Sequence, residues 1–297
     1  MVQRSAPNLH RDEAAMQSVS PATRVALVTG ANTGIGKATA SALAKNGYQV
    51  FLACRSRERT EPVLREIEAA CAGRAQVEFL ELDLADLASV RRCAQSFLER
   101  NLPLHLLVAN AGLAGQKGQT RDGFELAFGT CHMGHFLLTR LLLPRLQESA
   151  PARVVVVSSK AHRHVKSIDF EAVRRPTASS NGLREYGVAK LANLLFAREL
   201  GKRLEGTGVT TYSLHPGVVG TDVWRTLPRP LQWLLKRVFK SPEEGAKTSL
   251  YCATSFEAST QSGLYYENCR TQSPSPLAQN DSLSRALWDF SEQQLAI

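Results

Sequence analysis

Short apolar runs alternate along the chain with longer stretches in which apolar and polar residues recur at helical spacing. Seven of these runs predict β-strands, at residues 24–29, 48–53, 77–82, 104–109, 152–158, 209–214 and 262–267. Strands that alternate with amphipathic helices are typical of a parallel sheet covered by helices on both faces. We find no internal repeat, low-complexity tract or linker in the sequence. The pattern therefore predicts an α/β fold with one seven-stranded parallel sheet.

The first apolar run leads into a glycine-rich turn. Residues 25–28 are followed by Gly30, Gly34 and Gly36, and a helical stretch begins at Lys37. Glycine lets the backbone approach a pyrophosphate closely, and a helix N-terminus offers it free N–H groups and the positive end of the dipole. The spacing is Gly-x-x-x-Gly-x-Gly instead of the commoner Gly-x-Gly-x-x-Gly, so alone it is a moderate indication of dinucleotide binding.

A second motif indicates acid–base chemistry. Tyr186 and Lys190 are four residues apart, so on a helix they share a face, where the ammonium can lower the Tyr pKa from about 10. Found alone, such a pair is most often solvated. Here the apolar run 154–157 ends in Ser158 and Ser159, and a serine hydroxyl at this place can hold a substrate oxygen. Together with the glycine turn, the motif favours hydride transfer with Tyr186 as general acid or base.

Composition narrows the range of functions. A chain of 297 residues with 43% hydrophobic residues can form one large domain with a substantial core. The net charge of +9 comes from dispersed basic residues accompanied by acids, which disfavours nucleic-acid binding and favours an anionic cofactor or membrane surface. The six cysteines include no Cys-x-x-Cys pair, and no cluster of histidines with acids or cysteines is present. Neither a disulfide framework nor a metal site is predicted.

Taken in order, the motifs resemble those of the short-chain dehydrogenase/reductase family, and within it the retinol dehydrogenase branch. The resemblance covers about residues 24–295 and includes the segments 30–36, 52–55, 82–84, 110–112, 134–139, 158–159, 186–190 and 215–217. It implies a single Rossmann-like, doubly wound catalytic domain over residues 23–297, NAD(P) dependence, an apolar carbonyl or alcohol substrate and a homodimer. The motifs match Ser159, Tyr186 and Lys190 to the family's catalytic serine, tyrosine and lysine.

The resemblance also implies a cofactor site. Its residues would be Gly30, Asn32, Thr33, Gly34, Ile35 and Gly36 at the pyrophosphate, Asp83 and Leu84 at the adenine, Asn110, Ala111 and Gly112 at the adenine ribose, Tyr186 and Lys190 at the nicotinamide ribose, and Pro216, Gly217, Val219 and Thr221 at the nicotinamide. Two alternatives remain open. Residues 110–112 can be a simple polar turn, and Thr221 can cap the helix that follows it.

The end of the second strand bears on the choice between NAD and NADP. A carboxylate there would accept hydrogen bonds from the 2′-hydroxyl of NAD, whereas a guanidinium would pair with the 2′-phosphate of NADP. Arg55 stands at this place, Lys37 and Arg57 are candidate helpers, and no acid precedes Glu58. We therefore expect NADP(H) in preference to NAD(H). The alternative is a solvated basic turn.

One position departs from the family pattern. Cys131 stands where the family has a helix asparagine that holds a water of the proton relay. A thiol forms only weak hydrogen bonds, so proton exchange with solvent should be slower, while hydride transfer itself needs no asparagine. The expected function is NADP(H)-dependent interconversion of a carbonyl and an alcohol on a lipophilic retinoid, steroid or lipid aldehyde or ketone. The alternative is a catalytically impaired nucleotide-binding or interaction protein of the same fold.

Two segments lie outside the motif series. Residues 218–241 are expected to form a substrate lid, and the stretch 223–240 combines Trp224, Trp233 and other apolar residues with several basic residues and no acid. It is either a lid whose cations lie in water or one that also touches an anionic membrane. Residues 1–22 lack an apolar run, so they predict a flexible extension instead of a signal peptide or membrane anchor; the alternative is a weak targeting sequence. A cytoplasmic protein, with or without peripheral membrane contact, is expected.

Overall fold

A sheet of eight strands forms the centre of the protein, for which a computed structural model describes residues 24–217 and 240–297. The strands are β1 Val25–Thr29, β2 Gln49–Cys54, β3 Val77–Glu81, β4 Leu106–Ala109, β5 Ala152–Val157, β6 Val209–His215, β7 Leu264–Glu267 and β8 Arg270–Thr271. They lie in the order β3-β2-β1-β4-β5-β6-β7-β8. The first seven are parallel, which confirms the predicted parallel sheet and the places of its strands.

The structure adds one short strand to the seven that the sequence predicts. β8 pairs antiparallel with β7, with Glu267 opposite Arg270. The two residues of the loop, Asn268 and Cys269, have φ values of 51° and 59°, as in the tight hairpin turns whose twist matches that of the strands. Asn-Cys lacks the glycine that usually marks such a turn, and two residues are too few to show an alternating pattern.

Seven helices accompany the sheet in the described ranges. They are α1 Gly34–Lys45, α2 Arg57–Ala70, α3 Leu87–Leu98, α4, α5 Leu183–Arg203, α6 Pro242–Thr254 and α7 Asp281–Leu295. Helix α4 comprises a short α-helical start, Leu126–Phe128, a π-helical turn, Gly129–Met133, and a long α-helical part, Gly134–Glu148. None of the described helices combines the length and apolar character needed to cross a bilayer.

The two faces of the sheet carry different helices, so the fold is a doubly wound, Rossmann-like α/β fold. Helices α3, α4, α5 and α7 cover one face, and α1, α2 and α6 cover the other. Within β5, Val154 and Val156 point to the first face, while Val155 and Val157 point to the second. Both sets of side chains are buried, which explains why a central strand has a continuous apolar run instead of an alternation.

The order of the strands reverses between β1 and β4. From β1 the chain builds outward to β2 and β3, and then returns to β4 on the other side of β1. In open parallel sheets, such a reversal leaves a crevice outside the carboxyl ends of the strands, where ligands bind. The loops after β1, β4 and β5 therefore border the expected ligand crevice.

Candidate active site

One large cavity of about 1630 Å³ lies at the carboxyl ends of the strands. Pockets for single small ligands usually measure roughly 300–1,000 Å³, so there is room for a dinucleotide and a second molecule. Every predicted site residue in the described ranges lines it: Gly30, Asn32, Thr33, Gly34, Ile35, Gly36, Arg55, Asp83, Leu84, Asn110, Ala111, Gly112, Ser159, Tyr186, Lys190, Pro216 and Gly217. Val219, Thr221 and all but the last two residues of the predicted lid lie outside the described residues.

The glycine turn between β1 and α1 folds back tightly on itself. A Cβ at Gly36 would lie 2.3 Å from the Gly30 carbonyl oxygen and 2.5 Å from Nδ2 of Asn110, and Gly30 and Gly34 have φ values of 65° and 55°. Glycine is therefore required here by both space and conformation. Helix α1 begins at Gly34 with no acid in its first turn. Its N–H groups and dipole suit the pyrophosphate of a dinucleotide.

A hydroxyl at the end of β1 fixes the segment that follows β4. The backbone N–H groups of Asn110 and Ala111 donate to Oγ1 of Thr29 at 3.0 and 2.9 Å. The side-chain amide of Asn110 donates to the Thr29 carbonyl at 2.9 Å. Residues 110–112 are thus held against the glycine turn by three hydrogen bonds, which is more order than a simple polar turn requires.

Two arginines lie where the adenine ribose of a dinucleotide would be expected, just beyond β2. Arg55 and Arg59 both line the cavity, and neither forms an ion pair with any residue in the described ranges. The two candidate helpers lie elsewhere. Lys37 pairs with Glu66 at 2.6 Å, and the guanidinium of Arg57 lies over the Phe79 ring, 4.6 Å from its centroid.

Arg59 was missed by the sequence analysis, although a local signal was present. The Ser56 side chain accepts a hydrogen bond from the Arg59 N–H at 3.2 Å and so caps α2. Side chains in the first turn of a helix lean toward its N-terminus, which brings Arg59 back toward Arg55. A serine cap followed three residues later by arginine would have marked this position.

Tyr186 and Lys190 lie one turn apart on α5 and face the loop after β5. The Ser159 side chain lies close enough to the Tyr186 hydroxyl to affect its pKa, while Nζ of Lys190 lies 5.6 Å from the Tyr186 ring centroid and donates to the Val157 carbonyl at 2.8 Å. Ser158 instead donates its hydroxyl to the Lys190 carbonyl at 2.6 Å and is buried. The two adjacent serines thus differ, since Ser159 meets Tyr186 in the cavity and Ser158 ties β5 to α5.

Burial dominates the electrostatics of this pair. It raises the pKa of Tyr186 above its ordinary value, as does the nearby Cys131, and the Ser159 side chain offsets only part of the rise. Burial also lowers the pKa of Lys190. Burial of the phenolate therefore outweighs any lowering of the Tyr186 pKa by Lys190 in this structure. Tyr186 carries its proton at neutral pH.

Cys131 lies in the π-helical turn of α4, close to Lys190. A Cβ built at Gly112 would be 3.4 Å from Sγ of Cys131 and 3.2 Å from Nζ of Lys190. The thiol is fully buried, and its nearest hydrogen-bond acceptor is the Leu113 carbonyl at 3.9 Å. π-Helical turns occur preferentially at functional sites. No pattern in the sequence indicates this π-helical turn.

The remainder of the cavity wall is more apolar than polar and also includes charged residues, among them Lys166, Asp169, Arg175 and Arg184. Leu113, Leu126, Phe128, Val165, Val173, Leu183 and Val188 line it. Glu125 also lines it, but its carboxylate accepts hydrogen bonds from the Phe128 N–H at 2.8 Å and from the Thr177 hydroxyl, so it caps the start of α4. Within the described ranges, no group of histidine, cysteine and acidic side chains could hold a metal ion.

Comparison with known proteins gives consistent matches. Residues 24–231 match the family model described as short chain dehydrogenase. The chain is 47% identical over 279 residues to Dehydrogenase/reductase SDR family member 13 of Bos taurus, covering 91% of this chain and 72% of that protein. It is also 47% identical over 272 residues to Retinol dehydrogenase 11 of Mus musculus, covering 90% of this chain and 85% of that protein.

Solved structures match over most of their length. A putative uncharacterized protein from Mycobacterium paratuberculosis superimposes with a TM-score of 0.72 and 35% identity, covering 92% of this chain and 93% of that chain. RhlG of Pseudomonas aeruginosa, solved as an NADP active-site complex, gives a TM-score of 0.66 and 27% identity, covering 82% of this chain and 94% of that chain.

Proposed function

Since this chain belongs to the short-chain dehydrogenase family of oxidoreductases, we propose that it is an NADP(H)-dependent enzyme that interconverts a carbonyl and an alcohol group on a lipophilic substrate. The observation that carries the proposal is the convergence of Ser159, Tyr186 and Lys190 on the cavity that also contains the glycine turn. The cavity thus contains two hydroxyl groups, a buried ammonium group and the N-terminus of a helix suited to bind an anion. Hydride transfer to a carbonyl requires groups of these kinds.

Each catalytic side chain has a role that follows from its surroundings. Tyr186 holds a proton at neutral pH and would donate it to the carbonyl oxygen during reduction. Ser159, which lies next to Tyr186, would donate to the same oxygen and place it beside the phenol. Lys190 would hold the ribose hydroxyls and favour the charge that develops on Tyr186 as the proton leaves. When bound, the nicotinamide would supply the hydride.

The preference for NADP(H) rests on Arg55 and Arg59. Two guanidinium groups without ion-pair partners in the described ranges lie on the cavity wall after β2, and a guanidinium pairs well with a phosphate. Asp83, after β3, uses one carboxylate oxygen to accept from the Ala85 N–H at 3.0 Å and thereby shapes its own loop. The NADP complex of the RhlG relative supports the same preference.

The lipophilic substrate is proposed from the cavity wall near Tyr186. Leu183 and Val188 flank Tyr186 on α5, and Leu126 and Phe128 at the start of α4 line the same cavity. An apolar wall favours a substrate with apolar surface around its reacting group. The mouse relative is named a retinol dehydrogenase, and retinoid, steroid and lipid aldehydes or ketones all meet this description.

The direct test is a screen of the purified full-length chain against retinoid, steroid and medium-chain lipid carbonyls, with NADPH and NADH in parallel. We expect cofactor oxidation with at least one apolar carbonyl and NADPH, and loss of turnover in Tyr186→Phe with retained NADPH binding. The Tyr186→Phe variant keeps the aromatic ring and removes only the phenolic hydroxyl, which is the proposed proton donor. Turnover that survives in Tyr186→Phe would contradict the proposed mechanism.

A second function is favoured by one observation, the thiol at position 131. If Cys131 breaks the proton relay, the protein is a nucleotide-binding or interaction protein that kept the fold and lost turnover. The same screen separates the two functions, because this protein would bind NADPH and oxidise none with any carbonyl. The neighbouring Ser159 and Tyr186 side chains and the buried Lys190 support the enzyme as the first choice.

A further inference from the structure

A histidine outside the catalytic set joins the cofactor segments to the π-helical turn of α4. His135 lies in α4 one turn beyond Cys131 and is almost completely buried. Its Nδ1 lies 2.9 Å from the Cys131 carbonyl oxygen, and its Nε2 lies 2.8 Å from Oγ1 of Thr29. Both ring nitrogens thus have partners, one in the π-helical turn and one at the end of β1.

The chemistry of the partners fixes the direction of both hydrogen bonds. A backbone carbonyl can only accept, so Nδ1 of His135 carries the proton and donates to Cys131. Nε2 is then a bare acceptor and takes the Thr29 hydroxyl proton. The other acceptor for this proton, the Val108 carbonyl, lies farther away at 3.4 Å. Burial lowers the pKa of His135 to about 4, which keeps the ring neutral near pH 7.

The hydroxyl of Thr29 extends the chain of hydrogen bonds to a third segment. Its oxygen accepts from the N–H groups of Asn110 and Ala111, and Ala111 in turn packs against Gly30. Contacts therefore connect the turn that contains Cys131, through the His135 ring, to both segments that would hold the dinucleotide.

We propose that His135 is a positioning residue, which holds the π-helical turn of α4 in a fixed place relative to residues 29–30 and 110–112. This role rests on the proposed cofactor binding. Its consequence is that the place of Cys131 relative to the proposed dinucleotide site depends on one imidazole. Loss of the ring contacts should weaken cofactor binding and slow the chemical step in a protein that still folds.

A neighbouring histidine provides a matched control. His132 is also fully buried in α4, but its Nε2 lies 3.0 Å from the Ser291 hydroxyl of α7, and its ring packs among Phe128, Phe136 and Phe196. It contacts none of the cofactor segments by hydrogen bond. A substitution at His132 removes a contact between α4 and α7 and leaves both hydrogen bonds of His135 in place.

Three substitutions at His135 separate the two contacts. In His135→Asn the amide can replace Nδ1 and keep the bond to the Cys131 carbonyl, whereas in His135→Gln it can replace Nε2 and keep the bond to Thr29. His135→Leu keeps the bulk and loses both. Each purified variant and His132→Leu are assayed at a temperature well below their unfolding midpoints, for NADPH dissociation constant, kcat and KM.

We expect His135→Leu to raise the NADPH dissociation constant about tenfold or more and to lower kcat, since a lost bond to a buried polar group has effects of this size. Gln should retain more cofactor affinity than Asn, because it keeps the bond to Thr29. His132→Leu should lower the unfolding midpoint and leave the NADPH dissociation constant and kcat near their wild-type values. In the double variant, the effects of Thr29→Val and His135→Leu on the free energy of NADPH binding should be less than additive.

Two outcomes distinguish failure of this inference from failure of the proposed function. If wild type binds NADPH and all His135 variants match it in affinity and kcat, His135 only fills space and the inference is wrong. If wild type binds neither NADPH nor NADH, the proposed function is wrong. Should His135→Leu prove insoluble, the Asn and Gln variants still decide, because equal constants for wild type, Asn and Gln also overturn the inference.

Discussion

At the scale of single residues, neighbouring residues of the same type have different contacts in the site. Ser158 and Ser159 are adjacent, yet one hydroxyl ties β5 to α5 and the other meets Tyr186. Arg55, Arg57 and Arg59 form one basic run, yet Arg57 lies on Phe79 while the other two line the cavity. A helix start directs successive side chains to different sides, so equal residue types acquire different roles.

The arginines lead to a prediction for cofactor choice. Arg55→Ala and Arg59→Ala should each weaken NADPH binding about ten- to a hundredfold, because a charge-assisted contact contributes roughly 1.5 to 3 kcal/mol. NADH affinity should change little, since NADH lacks the 2′-phosphate. Titration of both cofactors by fluorescence or calorimetry measures this directly. Arg57→Ala is the matched control and should leave both affinities unchanged; equal NADPH and NADH affinities in wild type would rule out the assignment.

The thiol at position 131 leads to a prediction for turnover. Cys131→Asn should raise kcat and leave NADPH affinity nearly unchanged, because an amide beside Lys190 can hold a water of the proton relay and does not grip the nucleotide. The control is Cys131→Ala, which removes the thiol without adding an amide and should not raise kcat. If Asn and Ala behave alike, residue 131 takes no part in the relay.

At the scale of the elements, the sheet was predictable and several local features were not. Seven strands follow from apolar runs such as 154–157, because burial on both faces leaves no room for polar positions. The π-helical turn of α4 and strand β8 have no recognisable sequence pattern, since one turn or two residues are too short to show a periodicity.

The residues of the candidate site that belong to local sequence motifs were predicted. His135 was missed because its partners, Thr29 and Cys131, lie far from each other in sequence and meet only after folding.

The turn before α1 gives a prediction at this scale. Alanine normally stabilises a helix relative to glycine by about 1 kcal/mol, but a Cβ at Gly36 would lie 2.3 Å from the Gly30 carbonyl oxygen. Gly36→Ala should therefore destabilise the turn and weaken NADPH binding more than tenfold, by displacing Gly30 or the start of α1. Ser41→Ala on the same helix is the control and should bind NADPH normally. A more stable Gly36→Ala protein with unchanged affinity would contradict the tight contact.

At the scale of the whole molecule, the layers of the fold bury several histidines. His132 and His135 lie in α4 between the sheet and α7, and His215 ends β6 on the cavity wall. Burial is the largest cause that lowers their pKa values, to about 3 for His132 and about 4 for His135 and His215. In the unfolded chain each returns to about 6.5. Unfolding below pH 6.5 is therefore coupled to proton uptake.

This coupling predicts how stability depends on pH. Since the unfolded chain binds more protons than the folded protein between pH 6.5 and about 4, the contribution of these histidines is fully present above pH 6.5 and is lost as the pH falls through this window. Three sites correspond to roughly three protons near pH 5, or up to about 4 kcal/mol per pH unit. The lowered pKa values of Asp86 and Glu185 act in the same direction at lower pH, whereas the raised pKa of Glu125, caused by its burial, opposes them.

Urea unfolding at pH 7.5, 6 and 5 measures how steeply the free energy of unfolding changes with pH. His132→Phe should reduce this slope by the equivalent of about one proton. If wild type and His132→Phe lose stability equally between pH 7.5 and 5, His132 is not held neutral by its burial under α7.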